Sequence, residues 1–439
     1  MAKAEEEVAT RIRDMLNRDK LPYMGDLDDE IDTQQSEMGF AFAEEQRHAI
    51  QTALTSPISI ISGGPGTGKT SIQRAILNIY KKAFPDSDVV CCAPTGRAAR
   101  RMEQSTGFPA STIHKALNLT GGELHELKDL QLLEADLVLV DEVSMMDMMT
   151  TWCLFNALPP GCRLILVGDA DQLPSVGPGA VLNELLACGR LPAVILDKVF
   201  RQSEGSLIAE NAQRIRHGES DLQFGDDFQF WASADEAQSA QYLKRLYKSA
   251  VARFGVDNVA LLTPFRKKSE TGVHSLNAAL HDAINPKAPG KAEIEIGQRI
   301  LRVGDKVMQM KNRDFASNGD IGYICTSMRE PDGLLVEVDF GDDRVVAYED
   351  VETLRQLELA YATTIHKSQG SEYDAVLINI QNMHGKMLNR ALFYTAETRA
   401  KKLVIIVGDW DAVVRAIQTA DTKCRHTMLA LRINELTKE

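Results

Sequence analysis

A glycine-rich stretch early in the chain has the residue types and spacing that bind a polyphosphate. Residues 63–70 fit the pattern G-x-x-x-x-G-K-[ST], whose backbone N–H groups wrap phosphate oxygens. An apolar run at 58–61 precedes the stretch, and apolar residues at helical spacing follow it over 72–83, which predicts a strand, a loop and a helix in that order. The unpaired N–H groups at a helix N-terminus favour an anion. The stretch therefore predicts a nucleoside triphosphate site rather than a chance glycine-rich turn.

Two side chains of this loop are expected to act on the phosphates directly. Lys69 would neutralise charge on the β- and γ-phosphates, and the Thr70 hydroxyl would bind Mg²⁺. The predicted nucleotide-binding residues of the loop are Gly63, Gly64, Pro65, Gly66, Thr67, Gly68, Lys69 and Thr70.

An Asp-Glu pair follows a second apolar run and bears on whether the nucleotide is hydrolysed. Residues 137–140 are typical of a parallel strand buried on both faces, and Asp141 and Glu142 come directly after them. Open α/β sheets bind ligands at the carboxyl ends of their strands. Asp141 is therefore expected to bind Mg²⁺, and Glu142 to accept a proton from the attacking water. A simple kinase or binding module needs the aspartate but not the adjacent glutamate, so the pair favours hydrolysis.

Length and composition fit a large intracellular protein. The 439 residues predict roughly two to four domains. The seven cysteines include no Cys-x-x-Cys pair, which argues for reduced thiols and against a disulfide framework or a zinc site. No segment approaches the ~18 apolar residues of a membrane span, so we expect a cytoplasmic protein without a membrane partner. The net charge of −13 counts against nucleic acid overall, but the 49 lysines and arginines can line a groove locally.

Strand-like runs alternate with helical patterns in both halves of the chain, which predicts an α/β fold with parallel sheets covered by helices. The stretches Leu164–Asp169 and Val404–Asp409 are near copies, which indicates two α/β domains of one kind. The predicted strands are 58–61, 89–93, 137–140 and 164–167 in the first half, and 259–263, 375–380 and 403–407 in the second.

Changes in charge and in the pattern of apolar and turn residues along the chain predict its domain boundaries. Residues 1–38 are acidic and are expected to be a stub or linker that builds no core, although Ala4–Leu16 could form a short helix. Short strands divided by Gly/Asp turns predict a small antiparallel barrel. The remaining predicted boundaries are 39–198 for the first domain, about 117–134 for a short insertion in it, 199–297 and 351–439 for the second domain, and 298–350 for the barrel.

Further polar residues lie just after predicted strands. Thr95 and Arg97 open a helix and suit phosphate oxygens. The string Thr-Ile-His-Lys occurs at 112–115 and again at 364–367. One such string is more often a capped helix start than a ligand site, but its recurrence favours a groove lined by two domains.

Three side chains could respond to the γ-phosphate. Gln172 offers an amide just past a strand. Arg201 and Arg399 lie outside the first domain's loop, as charge donors in trans should. Either arginine alone is more often a surface salt bridge.

Taken in order, these motifs resemble those of superfamily 1 helicases, and of the RecD-like branch (superfamily 1B) in particular. The resemblance runs from about Phe40 to Trp410. The RecD-like motifs are Gly63–Thr70, Ala93–Ala99 and Val303–Met308 followed by Asn318–Gly322. The other matching motifs are Gln46, 111–115, 141–145, 168–174, 199–201, 363–370 and 394–399.

The resemblance implies two RecA-like P-loop domains, with a short pin insertion in the first and an SH3-like barrel in the second. It implies ATP-driven, Mg²⁺-dependent 5′→3′ translocation on single-stranded DNA, with unwinding of duplex at forks. Gln46 would contact adenine, Gly370 and Glu372 would lie near the ribose, and Gln172 would couple the γ-phosphate to DNA. Arg201 and Arg399 would contact the γ-phosphate across the cleft between the domains. The implied DNA contacts are Thr95, Arg97, Thr112, His114, Thr364 and His366.

Two alternatives stay open at this point. The chain could be the helicase subunit of a recombination nuclease or repair complex, since the long helical N-terminal region that many RecD-like proteins carry is missing here, and residues 1–38 could be its remnant. It could also be a DNA-stimulated ATPase that displaces proteins without unwinding, because the expected pin at about 117–134 is short. A monomer is expected, and only the resemblance favours DNA over RNA.

Overall fold

A computed structural model describes residues 1–18, 25–119, 130–199, 206–267, 269–297, 299–313, 315–330, 333–420, 425 and 427–438. The chain divides into two units, Met1–Ser203 with Lys423–Glu439, and Glu204–Thr422. No helix in the described part of the chain is long and apolar enough to cross a bilayer.

The described strands and helices follow one another as the alternating sequence pattern predicts. The strands are β1 (Ile58–Gly63), β2 (Val89–Ala93), β3 (Ala110–Thr112), β4 (Leu137–Val140), β5 (Arg163–Gly168), β6 (Ala193–Leu196), β7 (Phe228–Ala232), β8 (Val259–Thr263), β9 (Glu293–Ile296), β10 (Arg299–Arg302), β11 (Lys306–Gln309), β12 (Ile321–Glu330), β13 (Gly333–Asp339), β14 (Val345–Tyr348), β15 (Leu357–Leu359), β16 (Ala362–Thr364), β17 (Tyr373–Ile380) and β18 (Ala400–Gly408). The helices are α1 (Ala2–Leu16), α2 (Leu27–Met38), α3 (Glu44–Thr55), α4 (Lys69–Ala83), α5 (Gly96–Thr106), α6 (Ile113–Ala116), α7 (Met148–Ala157), α8 (Val181–Ala187), α9 (Leu207–His217), α10 (Glu236–Phe254), α11 (Val273–Ile284), α12 (Val351–Leu354), α13 (Arg390–Glu397), α14 (Trp410–Gln418) and α15 (Leu429–Leu436).

The first unit is built on a parallel sheet in the order β3-β2-β4-β5-β1-β6. Strand β4 shows why its sequence is continuously apolar. Leu137 and Leu139 join the core cluster on one face of the sheet, whereas Val138 and Val140 join the cluster on the other. Helices cover both faces, so each residue of the strand is buried. The predicted α/β fold is confirmed.

The second unit repeats this architecture with a parallel sheet in the order β16-β8-β17-β18-β7. The near-copy stretches fall on β5 and β18, which are each fourth in their sheet when counted from β3 and β16. One Thr-Ile-His-Lys string begins at the end of β3 and the other at the end of β16, and each of these strands lies at an edge of its sheet. The sequence echo therefore reflects equivalent positions in two sheets of one kind.

A small antiparallel sheet is inserted in the chain of the second unit between β8 and β16, as the short strands and turns of the sequence predict. Its order is β14-β13-β12-β11-β15, and the hairpin β9–β10 precedes it. The strands run over 293–359, wider than the predicted 298–350. The insertion is wider because the hairpin β9–β10, with Gly297 at its turn, extends it at one end and the three-residue strand β15 at the other.

Residues 1–38 are not a stub, contrary to the expectation from their acidity. In α1, Val8, Ala9 and Ile12 are fully buried in the core of the first unit, and Ile31 of α2 is buried on the sheet's other face. The apolar residues of α1 recur at three- and four-residue intervals and form a stripe. Composition alone does not reveal this stripe, because many acidic residues surround it in the sequence.

The end of the chain also differs from prediction. Residues 423–439, assigned above to the second domain, belong to the first unit, where Leu429 and Ile433 of α15 are fully buried. Helix α15 packs against α1 and α8. The apolar stripe of a short helix shows that the helix packs on a core but not on which one. The sequence of α15 therefore could not predict that it packs in the first unit. Most of the expected pin, residues 120–129, lies outside the described residues.

Candidate nucleotide-binding site

The loop between β1 and α4 has the conformation that its glycines permit. Gly66 and Gly68 have φ of 77° and 86°, in the left-handed region that residues with a Cβ rarely adopt. Within the loop, Thr67 Oγ1 donates a hydrogen bond to the Gly64 carbonyl at 2.8 Å. Helix α4 then begins at Lys69, so Lys69 and Thr70 lie at its N-terminus, next to the unpaired N–H groups.

Gln46 lies directly against this loop. Its Nε2 donates to the Thr67 carbonyl at 2.9 Å, and its Oε1 accepts from the Ala43 N–H at 2.9 Å. A Cβ on Gly68 would approach Gln46 Nε2 to 2.3 Å, so the glycine makes room for the amide. Gln46 thus bridges the start of α3 and the phosphate loop. Its predicted contact with adenine stays a prediction.

Lys69 is held by the phosphate loop and is influenced by three carboxylate charges. Its ammonium donates to the carbonyls of Gly63 and Gly64, the latter at 2.8 Å. Burial lowers the pKa of Lys69, and the charges of Asp169, Glu142 and Asp141 oppose that shift. The structure therefore brings the phosphate-loop lysine, the Asp-Glu pair and Asp169 to one edge of the sheet.

Asp141 is suited to a hard cation. Burial, and then the neighbouring Glu142 carboxylate, raise the pKa of Asp141, although its Oδ1 accepts the Glu142 N–H at 2.9 Å. A divalent cation would relieve both causes. Mg²⁺ in phosphate-transfer sites uses one or two protein oxygens together with substrate phosphates and water. Asp141 and Thr70 offer such a donor set, so these residues fit the ion that the sequence predicts.

Glu142 is held in an unusual backbone conformation. Its φ of 54° and ψ of 40° lie in the left-handed region, which is uncommon for a residue other than glycine. The 3₁₀ turn Val143–Met145 follows it, and the Met145 N–H donates to the Glu142 carbonyl at 3.0 Å. Such strained residues cluster at active sites, where the surrounding structure holds them in place. The conformation is an independent reason to assign Glu142 a chemical role.

Gln172 reaches the site through Asp169, a residue for which the sequence analysis predicts no role. Asp169 is 1% exposed, and its Oδ2 accepts the Gln172 Nε2–H at 3.0 Å. Burial raises the pKa of Asp169, and Lys69 opposes the shift. Gln172 Oε1 is buried and has no hydrogen-bond partner among the described residues, which leaves it available to a ligand. The sequence signal for Asp169 is the repeated Gly-Asp at the ends of β5 and β18, where Gly168 and Gly408 are the last strand residues.

Other predicted nucleotide residues lie in the second unit or outside the described residues. Arg399 is 2% exposed, and its guanidinium donates to the Ser371 and Thr395 carbonyls at 3.2 and 3.1 Å. Gly370 has a φ of 71°, and Glu372 pairs with Lys401 at 3.4 Å. The Ser371 contact brings Arg399 close to the chain that carries Gly370 and Glu372. Arg201 lies outside the described residues.

The residues predicted to contact DNA include three helix caps. The hydroxyls of Thr95, Thr112 and Thr364 accept the N–H groups of the residues three positions on, at 3.2, 3.1 and 3.3 Å. The capping interpretation of the Thr-Ile-His-Lys strings is thus confirmed. His114 is exposed, and His366 and Arg97 are partly exposed. Their contacts with DNA stay predictions.

Glu397, two residues before Arg399, leads to a prediction about pH. It is fully buried, and neither carboxylate oxygen has a hydrogen-bond partner among the described residues. Burial raises the pKa of Glu397 well above its ordinary value of 4.5, against the effect of Arg399. As the pH rises above 4.5, the unfolded chain releases this proton before the folded chain does, so stability falls. We expect Glu397→Gln to abolish that loss, so that its stability advantage grows with pH by up to about 1.4 kcal/mol per pH unit.

Urea unfolding of both proteins between pH 5 and pH 8 measures this difference. Glu295→Gln, at an exposed position of β9, is the matched control and should show no such trend. A stability difference between wild type and Glu397→Gln that does not change with pH would show that Glu397 is ionised in the folded protein.

Comparison with known proteins agrees with the order of these motifs. Family models match the chain in three successive stretches: an AAA domain at 41–236, the SH3 domain of ATP-dependent RecD-like DNA helicases at 276–340, and a UvrD-like helicase C-terminal domain at 359–407. RecD, a subunit of the RecBCD enzyme of Mycolicibacterium smegmatis, is 30% identical over 85% of this chain and 72% of that protein. The chain belongs to the RecD-like family of helicases. The ATP-dependent RecD2 DNA helicase of Deinococcus radiodurans is 34% identical over 98% of the chain.

The RecD-like chain spans 57% of the length of Deinococcus RecD2. Solved structures of Pif1 helicases share its fold. One, from a study of unwinding at forked duplex DNA, covers 87% of this chain and 94% of its own with a TM-score of 0.52 at 19% identity. A second, Bacteroides Pif1 with ADP-AlF3 and single-stranded DNA, covers 84% of this chain and 92% of its own, with a TM-score of 0.50 at 19% identity.

Proposed function

We propose that this chain is an ATP-dependent DNA helicase that moves 5′→3′ along single-stranded DNA and unwinds duplex at forks. The observation that carries the proposal is the convergence of Lys69, Asp141, Glu142 and Gln172 at the carboxyl edge of the first sheet. Membership of the RecD-like family and the similarity to the ATP-dependent RecD2 DNA helicase of Deinococcus support ATP as the nucleotide and DNA as the nucleic acid.

Each residue of the site has a separate task in the proposed reaction. The N–H groups of the loop and the Lys69 ammonium bind the β- and γ-phosphates, while Gln46 contacts adenine. Thr70 and Asp141 hold Mg²⁺, which when bound supplies positive charge to the transferred phosphoryl group. Glu142 orients the attacking water and accepts its proton.

The remaining predicted residues connect hydrolysis to the nucleic acid. Gln172 is proposed to respond to the γ-phosphate through its buried Oε1. Arg399 is proposed to donate charge to the γ-phosphate, and Arg201 likewise, with Gly370 and Glu372 near the ribose. The proposed DNA contacts remain Thr95, Arg97, Thr112, His114, Thr364 and His366.

A second candidate function is that of a helicase subunit in a nuclease complex. The similarity to RecD, a subunit of the RecBCD enzyme, favours it. The two candidates share the nucleotide site but differ in whether the chain works alone.

Steady-state ATPase activity of the purified chain, with and without single-stranded DNA, tests the proposal. We expect strong stimulation by DNA, followed by unwinding of forks that carry a 5′ single-stranded tail but not of those with only a 3′ tail. An ATPase rate that DNA does not change would contradict a motor that works alone and would favour the subunit. Stimulation without fork unwinding would favour displacement of proteins from DNA.

A further inference from the structure

The loop that follows Gln172 is the starting point of a further inference. Residues 173–179 run without regular structure from the end of the Asp169–Gln172 stretch to α8. The tip of the loop, Val176, is 86% exposed, so no apolar packing fixes it there. The loop contains Gly177 and Gly179, the latter with a φ of 102°, and glycine is the most flexible residue. Beyond the buried side chains of Leu173 and Ser175, the position of the loop therefore depends on contacts with its backbone.

Two of these contacts come from the start of α7. A Cβ on Gly177 would lie 2.2 Å from Asp147 Oδ2, so the loop rests closely on that side chain. The Met148 N–H donates to the Pro178 carbonyl at 2.8 Å. They fix one side of the loop to the body of the first unit.

The third contact comes from the far end of the chain. Arg425 Nη1 donates to the carbonyls of Gly177 at 2.8 Å and Gly179 at 2.6 Å, and lies 3.3 Å from Ser175 Oγ. Hydrogen bonds from a charged donor are about twice as strong as neutral ones. One side chain thus gathers three polar groups of a loop that has no regular structure.

Arg425 occupies a special place in the chain. Helix α14 of the second unit ends at Gln418, and the chain crosses to the first unit before Arg425. Beyond Arg425 the segment is anchored, because Leu429 and Ile433 are fully buried and the Ala430 N–H donates to Glu184 Oε2 at 3.0 Å. Arg425 therefore connects the segment that follows the second unit in the chain to the loop that continues from Gln172.

We propose that Arg425 is a positioning residue that holds loop 173–179 to residues 427–438, the segment that follows the second unit in the chain, and so couples Gln172 to that unit. The inference rests on the proposed function, in which Gln172 responds to the γ-phosphate and DNA binding involves both units. Among the described residues, the hydrogen bonds of Arg425 go to Ser175, Gly177 and Gly179 and to none of the residues assigned to the nucleotide, so its loss should impair coupling rather than hydrolysis.

The test compares Arg425→Ala with Arg432→Ala. Arg432 lies on the same segment and pairs with Glu5 at 3.5 Å, away from the loop. We expect Arg425→Ala to lower the DNA-stimulated ATPase rate about 3- to 30-fold. The basal rate should stay within about twofold. Arg432→Ala should leave the stimulation unchanged. Since a single nitrogen of Arg425 makes all three contacts, Arg425→Lys, with three donors on one nitrogen, should retain more stimulation than Arg425→Ala.

Hydrogen–deuterium exchange separates failure of this inference from failure of the proposed function. Exchange of the amides of 173–179 should accelerate in Arg425→Ala and not in Arg432→Ala. Equal loss of stimulation in both variants would overturn the inference, because it would show that only docking of α15 matters. Stimulation unchanged in both would also overturn it. If the wild-type ATPase is not stimulated by DNA, the proposed function fails, and hydrogen–deuterium exchange alone tests the role of Arg425. Faster exchange of 173–179 confined to Arg425→Ala then supports that role, and unchanged exchange refutes it.

Discussion

Replacing Lys69 by alanine is expected to abolish ATP hydrolysis. The charges of Asp169, Glu142 and Asp141 act on the Lys69 ammonium, at the point where the phosphate loop enters α4. Without it, the negative charges of these carboxylates would face the triphosphate with one cation fewer. Removing a single charge-stabilising donor from an active site costs about 10²- to 10³-fold in kcat, and this donor also contributes to binding. Steady-state ATPase assays at saturating Mg²⁺ and DNA measure the loss.

A second lysine of α4 provides the control. Lys82 pairs with Glu30 at 2.7 Å, so Lys82→Ala makes the same change on the same helix, away from the loop. Its ATPase rate should remain near that of wild type. If Lys69→Ala hydrolyses ATP at a normal rate, the assignment of residues 63–70 as the phosphate loop is wrong.

The nucleotide loop and the central strands were predictable because their signals are local. A strand buried on both faces must be apolar at each position, and β4 has such a run in Leu137–Val140. The loop must contain glycine where φ is positive, as at Gly66 and Gly68. Both requirements can be read from a few adjacent residues, which is why the predicted and observed bounds of β2, β4 and β8 coincide.

The features that the sequence did not predict depend on distant parts of the chain. Helices α1 and α15 pack together from opposite ends, and Glu5 is buried because Arg432 and the Met428 N–H meet it there. Arg425 offers no motif, since its partners are backbone carbonyls of a loop some 250 residues earlier. The role of Asp169 is not predictable from its sequence position, because a buried carboxylate gains its significance from the charge of Lys69, which a distant part of the chain supplies. Tertiary contact, rather than local pattern, assigns these roles.

Glu142→Gln is expected to separate nucleotide binding from hydrolysis. The amide keeps the size of the side chain, and a glutamine fits the left-handed conformation no worse than the glutamate, so the turn at Val143–Met145 should persist. The variant loses the carboxylate proposed to take a proton from water, and general bases contribute about 10²- to 10⁴-fold. We expect kcat to fall by that factor while ATP still binds, as measured by single-turnover hydrolysis and by titration with a fluorescent nucleotide.

The same change should alter how ATP binding depends on pH. Burial is the larger cause of the raised pKa of Asp141, and the charge of Glu142 is the next. Removing that charge lowers the pKa of Asp141, so its carboxylate stays ionised to a lower pH, and Mg²⁺-dependent ATP binding should persist further into acid than in wild type. Glu134→Gln, at an exposed position three residues before β4, is the control and should change neither kcat nor this limit. Near-normal turnover by Glu142→Gln would assign water activation to another residue, whereas loss of ATP binding would mean that Glu142 shapes the site rather than acting on water.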